Sequence, residues 1–284
     1  MNITNLRDID FKISNFMLDE LCFMLSRRKV ITNWVTKFQE SSEDTEIISI
    51  VFGALEFLIA LAIAKLLNID IYVRVRSDEF RETMVSSRFL LWDEFLREEG
   101  GFLIPYMSRK GLPDIEICED SLCALVEVTL GSSPQTLYYE LNEVLRHTSS
   151  LKYTVNERVL LIPICNKDFT EFTEFVRREY PGKVNVYSIY SIVEALYLNK
   201  SLSNIKLLEK VNCDYALRCC EVSLYRMSKL VEDLLKGINN ISDITIAKTL
   251  KDMGYVALSA IVYAICRVGR RISNQIYLFS EQPY

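Results

Sequence analysis

The run from Ile47 to Ala64 is almost continuously apolar and nearly long enough to cross a bilayer. No other segment limits the fold so severely, because a helix without a polar face has to be covered all round. Glu56 sits in its middle. A lone carboxylate at the centre of a membrane helix costs roughly 2.5–3.5 kcal/mol on insertion scales, so the segment reads as a buried helix of a soluble fold, with no membrane partner. Inside such a fold Glu56 remains costly unless it meets a metal, a proton or a hydrogen-bond partner.

The rest of the chain reads as a mixed α/β protein. Helical spacing runs from Leu18 to Gln39, and Ser41 to Asp44 makes a polar start to the Glu56 helix. Ile69 to Arg76 alternates as a strand, and Glu79 to Glu98 reads as a helix ended by Gly100-Gly101. Two β-type runs, Asp114 to Cys118 and Cys123 to Leu130, flank the polar turn Glu119-Asp120-Ser121 as a hairpin. A helix follows from Gln135 to Ser149. Then come a strand at Arg158 to Cys165, a helix at Lys167 to Tyr180, a strand at Lys183 to Ile189 and a helix at Ser191 to Asn199. This alternation implies a mixed central sheet flanked by helices. Strand signals end near residue 201, which divides the chain into an α/β domain at 1–200, with a helical N-terminal part, and an all-α C-terminal appendage at 201–284. Ile246 to Gly254 followed by Val256 to Arg271 has the spacing of a helix-turn-helix. The apolar stripe of its second helix, however, marks it mainly as a packing element.

Candidate chemistry gathers on the hairpin. Side chains alternate across a strand, so Leu125, Glu127 and Thr129 share one face and Ala124, Val126, Val128 and Leu130 the other. Asp114 and Glu116 share a face of the partner strand, and Asp114 and Glu127 can therefore enter one small volume. Their repulsion is best relieved by a divalent cation. Mg²⁺ suits oxygen ligands, and it can activate a water and stabilise charge on a phosphate.

The segments Leu112-Pro113-Asp114-Ile115, Val126-Glu127-Val128-Thr129-Leu130 and Gln135 to His147, with Leu55 to Ala62 upstream, resemble the AlwI-type family of restriction endonucleases within the PD-(D/E)xK nucleases. The similarity covers approximately Ile47 to Leu198. The resemblance implies a restriction-endonuclease-like core that uses Mg²⁺, or Mn²⁺ in its place, to hydrolyse phosphodiester bonds of double-stranded DNA. It places Asp114, Glu127, Val128 and Glu56 at the metal, and Asp114, Glu127, Thr129 and Glu140 in catalysis. Gln135, at a helix start, can contact a phosphate, and Arg109 and Lys110 offer local positive charge. His147 supports, and falls beside Glu143 at i,i+4 spacing. Thr129 stands where the better-known pattern has a lysine, and a hydroxyl cannot supply that ammonium's charge.

The formal charge of −5 lacks the basic excess of a protein that binds DNA unaided. Positive charge is local, in Arg27-Arg28, Arg109-Lys110, Arg177-Arg178 and Arg270-Arg271, or a partner supplies affinity. The expected assembly is a separate recognition subunit or a homodimer, with this chain as a cleavage subunit of a type IIS-like enzyme. The alternatives are a stand-alone repair or structure-selective nuclease, and an inactive DNA- or protein-binding module. With no secretory leader and no framework of bridge spacings, the eight cysteines read as reduced core residues of a cytoplasmic protein, and zinc is disfavoured by the single histidine.

Overall fold

The computed structural model describes residues 3–5, 16–38, 42–76, 88–98, 102–107, 112–119, 121–149, 153–209, 212–237 and 244–267. Arg109, Lys110, Arg270, Arg271 and residues 79–87 lie outside the described residues. The elements in order are β1 (Ile3–Asn5), α1 (Met17–Phe38), α2 (Ser42–Leu67), β2 (Ile71–Arg76), β3 (Arg88–Glu98), β4 (Phe102–Tyr106), β5 (Ile115–Glu119) and β6 (Leu122–Val128). They continue with α3 (Pro134–Arg146), β7 (Thr154–Ile162), α4 (Lys167–Glu179), β8 (Asn185–Ser188), α5 (Ile189–Tyr197), a 3-10 turn (Ile205–Glu209), α6 (Cys213–Gly237), α7 (Ile244–Met253) and α8 (Val256–Arg267).

Eight strands form one sheet in the order β1-β2-β3-β5-β6-β7-β8, with β4 also paired to β3. Pairs β2/β3, β6/β7 and β7/β8 are parallel, and the others are antiparallel. The fold is thus the mixed α/β arrangement expected, with helices on both faces of the sheet. On one face, α2 packs Phe57, Leu58 and Leu61 into a core that includes Phe89, Leu91, Phe95, Val126 and Leu161. On the other, Leu137, Leu141 and Val144 of α3 and Phe172 and Val176 of α4 cover Leu160 and Ile162.

Helix α2 is long and apolar enough over Ile48–Leu67 to cross a membrane, yet 83% of its most apolar stretch is buried inside the fold. It is a core helix. It passes close to the end of β4 at Gly53, where an added Cβ would stand 2.9 Å from the Met107 nitrogen and 3.0 Å from the Tyr106 carbonyl carbon. The Met107 N–H donates to the Ser49 carbonyl at 3.1 Å, tying the end of β4 to the same helix. Gly53 therefore seats the turn that carries Glu56.

Residues 88–98 correct the helix expected over Glu79 to Glu98, because they form the long strand β3. A strand covered on both faces loses its polar alternation: Phe89, Leu90 and Leu91 are all buried. With charged residues interspersed, such a run imitates a helical period.

The C-terminal helices pack on the same main core as α1, α2 and α5. Ala257, Leu258 and Ile261 of α8 are buried there, as its apolar stripe implies. Glu20 of α1, almost fully buried, accepts the Val256 and Leu258 N–H groups at the start of α8, both at 2.9 Å. Burial pushes its carboxyl up to about 8, and these N–H groups oppose the shift. The cysteine expectation is overturned here. Cys22–Cys220, Cys118–Cys123 and Cys165–Cys213 are disulfides, and Cys219 is a buried thiol. Cys22–Cys220 and Cys165–Cys213 join positions 198 and 48 apart, which spacing along the chain could not disclose, whereas Cys118–Cys123 is a local pair across the β5–β6 hairpin.

Gly53→Val is expected to lower the unfolding free energy by about 1–3 kcal/mol, the usual cost of overpacking. Urea denaturation checks this, and a variant as stable as wild type would show that α2 and β4 can separate freely.

Candidate active site

The site forms where β3 changes neighbours. Leu91 of β3 pairs with Ile115 of β5, whereas Glu94 already pairs with Tyr106 of β4. At this fork two strands leave one edge in different directions, and Asp93 and Asp114 stand beside the gap. Register places Ile115 opposite Val126, so Asp114 and Glu127 fall on adjacent strands one step further on. Glu56 arrives from α2, and Glu140 from α3.

Helix α3 is held at its start by Ser133, whose Oγ accepts the Thr136 N–H at 3.2 Å, with Pro134 in the first turn. Gly131 precedes it because a Cβ there would run into the Thr136 side chain. This entry angle brings Glu140, Glu143 and His147 to the hairpin face.

Hydrogen bonds hold the two hairpin acids. The Val128 N–H donates to Asp114 Oδ2 at 2.7 Å, a charge-assisted bond between neighbouring strands. The Asp114 backbone N–H in turn favours the charged form of Glu127. His147, buried at the end of α3, places Nδ1 3.0 Å from Glu127 Oε2. The contact has ion-pair distance but not hydrogen-bond geometry, so both atoms stay buried without a hydrogen bond. Glu143 pairs with Arg146 at 3.0 Å instead of with the His147 side chain, which corrects the expected i,i+4 contact.

Electrostatics makes these groups one unit. Burial raises the Glu56 carboxyl well above its ordinary range, and the neighbouring Asp93 raises it further, followed by the charges of Glu127 and Glu140. Asp114 is raised by burial, then by Glu127 and Glu56, against the Val128 N–H. Glu127 is raised by burial and held down by His147. Glu140 reaches about 7 through burial and the charges of Glu127 and Glu143. Glu56 Oε2 is buried without a hydrogen-bond partner. A cation would relieve the whole set, and the oxygen donors suit a hard divalent ion such as Mg²⁺.

The remaining expected residues divide. Thr129 is buried, and its Oγ1 accepts the Gly131 N–H at 3.0 Å, so the hydroxyl braces the turn into α3. Gln135 is exposed on the first turn of α3. Asp93 was missed by sequence reasoning: it is fully buried, and its charge is among the causes acting on Glu56. The signal that could have found it was an acid inside an apolar run, the same signal that singled out Glu56.

Neither a protein-family model nor a curated relative matches the sequence. Among solved structures, the chain is similar to the small subunit of the heterodimeric restriction endonuclease R.BspD6I. The TM-score is 0.35 and the identity 17%, covering 70% of this chain and 98% of that one. The AlwI-type resemblance rests on the motif residues alone.

A carboxyl whose folded pKa is raised binds its proton more tightly in the folded state. For Glu140 the resulting stability is complete below about 4.5 and is lost as the pH rises through about 7. Glu140→Gln is thus expected to stabilise the metal-free protein at pH 8 by about 1 kcal/mol, after allowance for solvent screening, and to change it little at pH 4.5. Urea denaturation in EDTA measures both. Asp93→Asn, at the acid beside Glu56, is expected to weaken any Mn²⁺ or Ca²⁺ binding by the cluster about tenfold in calorimetry. Unchanged affinity would place Asp93 outside the site.

Proposed function

We propose that the chain is a metal-dependent DNA endonuclease of restriction type, with Asp114 and Glu127 as the central metal ligands. The observation that carries this reading is the convergence of Glu56, Asp93, Asp114, Glu127 and Glu140 from four kinds of neighbourhood, with Glu56 Oε2 lacking a hydrogen-bond partner. Structural ion pairs do not explain such a set, because most of these carboxylates raise one another's proton affinity. When bound, Mg²⁺ or Mn²⁺ would supply an activated water and charge stabilisation at the phosphate.

The residues of the chain then have separable tasks. Asp114 and Glu127 bind the cation, with Val128 fixing Asp114 through its N–H. Glu56, Asp93 and Glu140 complete the negative field, and deprotonated Glu140 can accept a proton near neutral pH. His147 holds Glu127 in orientation. Thr129 shapes the turn into α3 and does not replace the ammonium of the lysine pattern. Gln135, exposed at the helix start, is available to a phosphate.

A net charge of −5 supports DNA reading by a second protein, or by a second copy of this one, with the present chain as a cutting subunit. The AlwI-type resemblance of the motif residues favours the same assignment over a repair or structure-selective nuclease. Branched and single-stranded substrates compared with plain duplex separate these two.

The test is cleavage of supercoiled plasmid with Mg²⁺ or Mn²⁺, with cation binding measured in parallel. Asp114→Ala and Glu127→Ala are expected to lose activity by about 10²–10³-fold or more, and His147→Ala by about 10–100-fold. Thr129→Ser should retain activity. Wild-type protein that neither cuts nor binds Mn²⁺ would leave an inactive scaffold as the reading.

A further inference from the structure

The sheet continues past the end of the helix that covers it. Leu91, Ile115, Val126 and Val159 pair in one row across β3, β5, β6 and β7, and all four are fully buried in the core that holds α2. Two positions along each strand, Phe89, Ile117, Ala124 and Glu157 form the next row on the same face. Phe89 is closed off, but the other three are only half-buried. Helix α2 stops at Leu67, and beyond its end this row floors a cavity of about 680 Å³.

The walls of the cavity are held by backbone hydrogen bonds. Asn68, in the left-handed region at φ 52°, caps the helix: its N–H donates to the Lys65 carbonyl at 3.3 Å, and the Ile69 N–H donates to the Ala64 carbonyl at 3.1 Å. This cap turns the chain into β2 and sets Ile69 and Asp70 in one wall. Ser203 to Ile205 make another, tied down where the Leu202 N–H donates to the Leu66 carbonyl at 2.7 Å. The β5–β6 hairpin adds Glu119 and Leu122, which are paired in register.

The lining is apolar with an acidic rim. Ile69 is 37% exposed and Leu122 49%, and Ile117 and Ala124 add uncovered apolar surface beside them. Asp70, Glu119 and Glu157 reach the cavity from three parts of the chain, and no lysine, arginine or histidine is among its described lining residues. Glu157 is engaged: its Oε1 accepts Asn185 Nδ2 at 2.8 Å and the Tyr187 hydroxyl at 3.4 Å, and its Oε2 lies 3.9 Å from Lys206 Nζ. Glu119 is exposed. With Asp70 and the negative C-terminal end of α2, it gives the opening a negative field.

We propose that this cavity binds a small organic cation, an amine or amidine carried on an apolar body. The apolar body covers the row at Ile117 and Ala124, and the charged head meets Glu119. A cavity of this volume is in the range of small-molecule sites, and its few polar groups fix the sign of the ligand's charge. A bare metal ion would leave the apolar floor uncovered, and an anion would meet carboxylates without a basic partner. Glu119 and Leu122 stand at the ends of β5 and β6 remote from Asp114 and Glu127, so the site is separate from the carboxylate cluster and does not rest on the nuclease reading.

The test titrates the full chain in EDTA with benzamidine, and with benzamide and benzoate as its neutral and anionic counterparts, by calorimetry or ligand-observed NMR. Benzamidine is expected to bind with a Kd of about 1 mM or below, and the two counterparts at least about tenfold more weakly. Glu119→Gln should weaken benzamidine about three- to fivefold, as expected for a partly solvated ion pair. Ala124→Phe should abolish binding by filling the floor. Leu122→Lys, at an exposed position that folding tolerates, should weaken it about tenfold and serves if Ala124→Phe does not fold. Asp114→Ala should leave binding unchanged. The proposal is overturned if benzamide binds as tightly as benzamidine, if benzamidine shows no saturable binding, or if neither Glu119→Gln nor Leu122→Lys moves its affinity. It is also overturned if Asp114→Ala abolishes binding, because the probe then sits in the carboxylate cluster. No arm uses DNA or cleavage, so failure here is distinct from failure of the nuclease reading.

Discussion

The structure depends on the burial of α2. An apolar helix of this length can lie inside a soluble protein only when apolar surface meets it all round. The sheet covers one side through Phe89, Leu91, Phe95 and Val126, and helices of the N- and C-terminal parts cover the rest. Gly53 permits the close contact with β4, and Phe57 meets Phe95 edge to face at 4.8 Å between ring centres. A consequence follows for chemistry, because the helix cannot be buried without carrying Glu56 inward.

Once Glu56 is inside, the fork of β3 supplies its company. Asp93 falls between the stretches of β3 that pair with β5 and with β4, Asp114 directly precedes β5, and the hairpin register delivers Glu127 to the adjacent strand. Each acid lies on an element held by apolar packing elsewhere. The mutual repulsion is thus imposed by the core and is not relaxed by moving a loop. A set of this kind is suited to an ion with several oxygen ligands, and His147 is placed to moderate one member of it.

Much of this was legible along the chain, and particular residues show where legibility ended. Asp114 and Glu127 could be paired because the hairpin is local and strand alternation has a fixed period. The paired positions follow from counting. Asp93 could not be found so, because β3 is buried on both faces and imitates a helix, and its contact with Glu56 joins distant elements. His147 was placed on the correct helix with the wrong neighbour: local spacing offered Glu143, whereas the turn at Gly131 brings the ring to Glu127. The cysteines failed for a similar reason, since Cys22 and Cys220 meet only when α6 packs on α1.

The sequence by itself determined the buried helix, the mixed sheet, the hairpin and the order of most elements, because hydrophobic periodicity and turn chemistry act over a few residues. It also placed four of the acids on elements able to meet. Tertiary structure alone decided the fork in β3, the entry of Asp93, the contact of His147 with Glu127 and the partners of the Cys22–Cys220 and Cys165–Cys213 disulfides. These depend on which surfaces bury each other across long separations, and no local period encodes that choice.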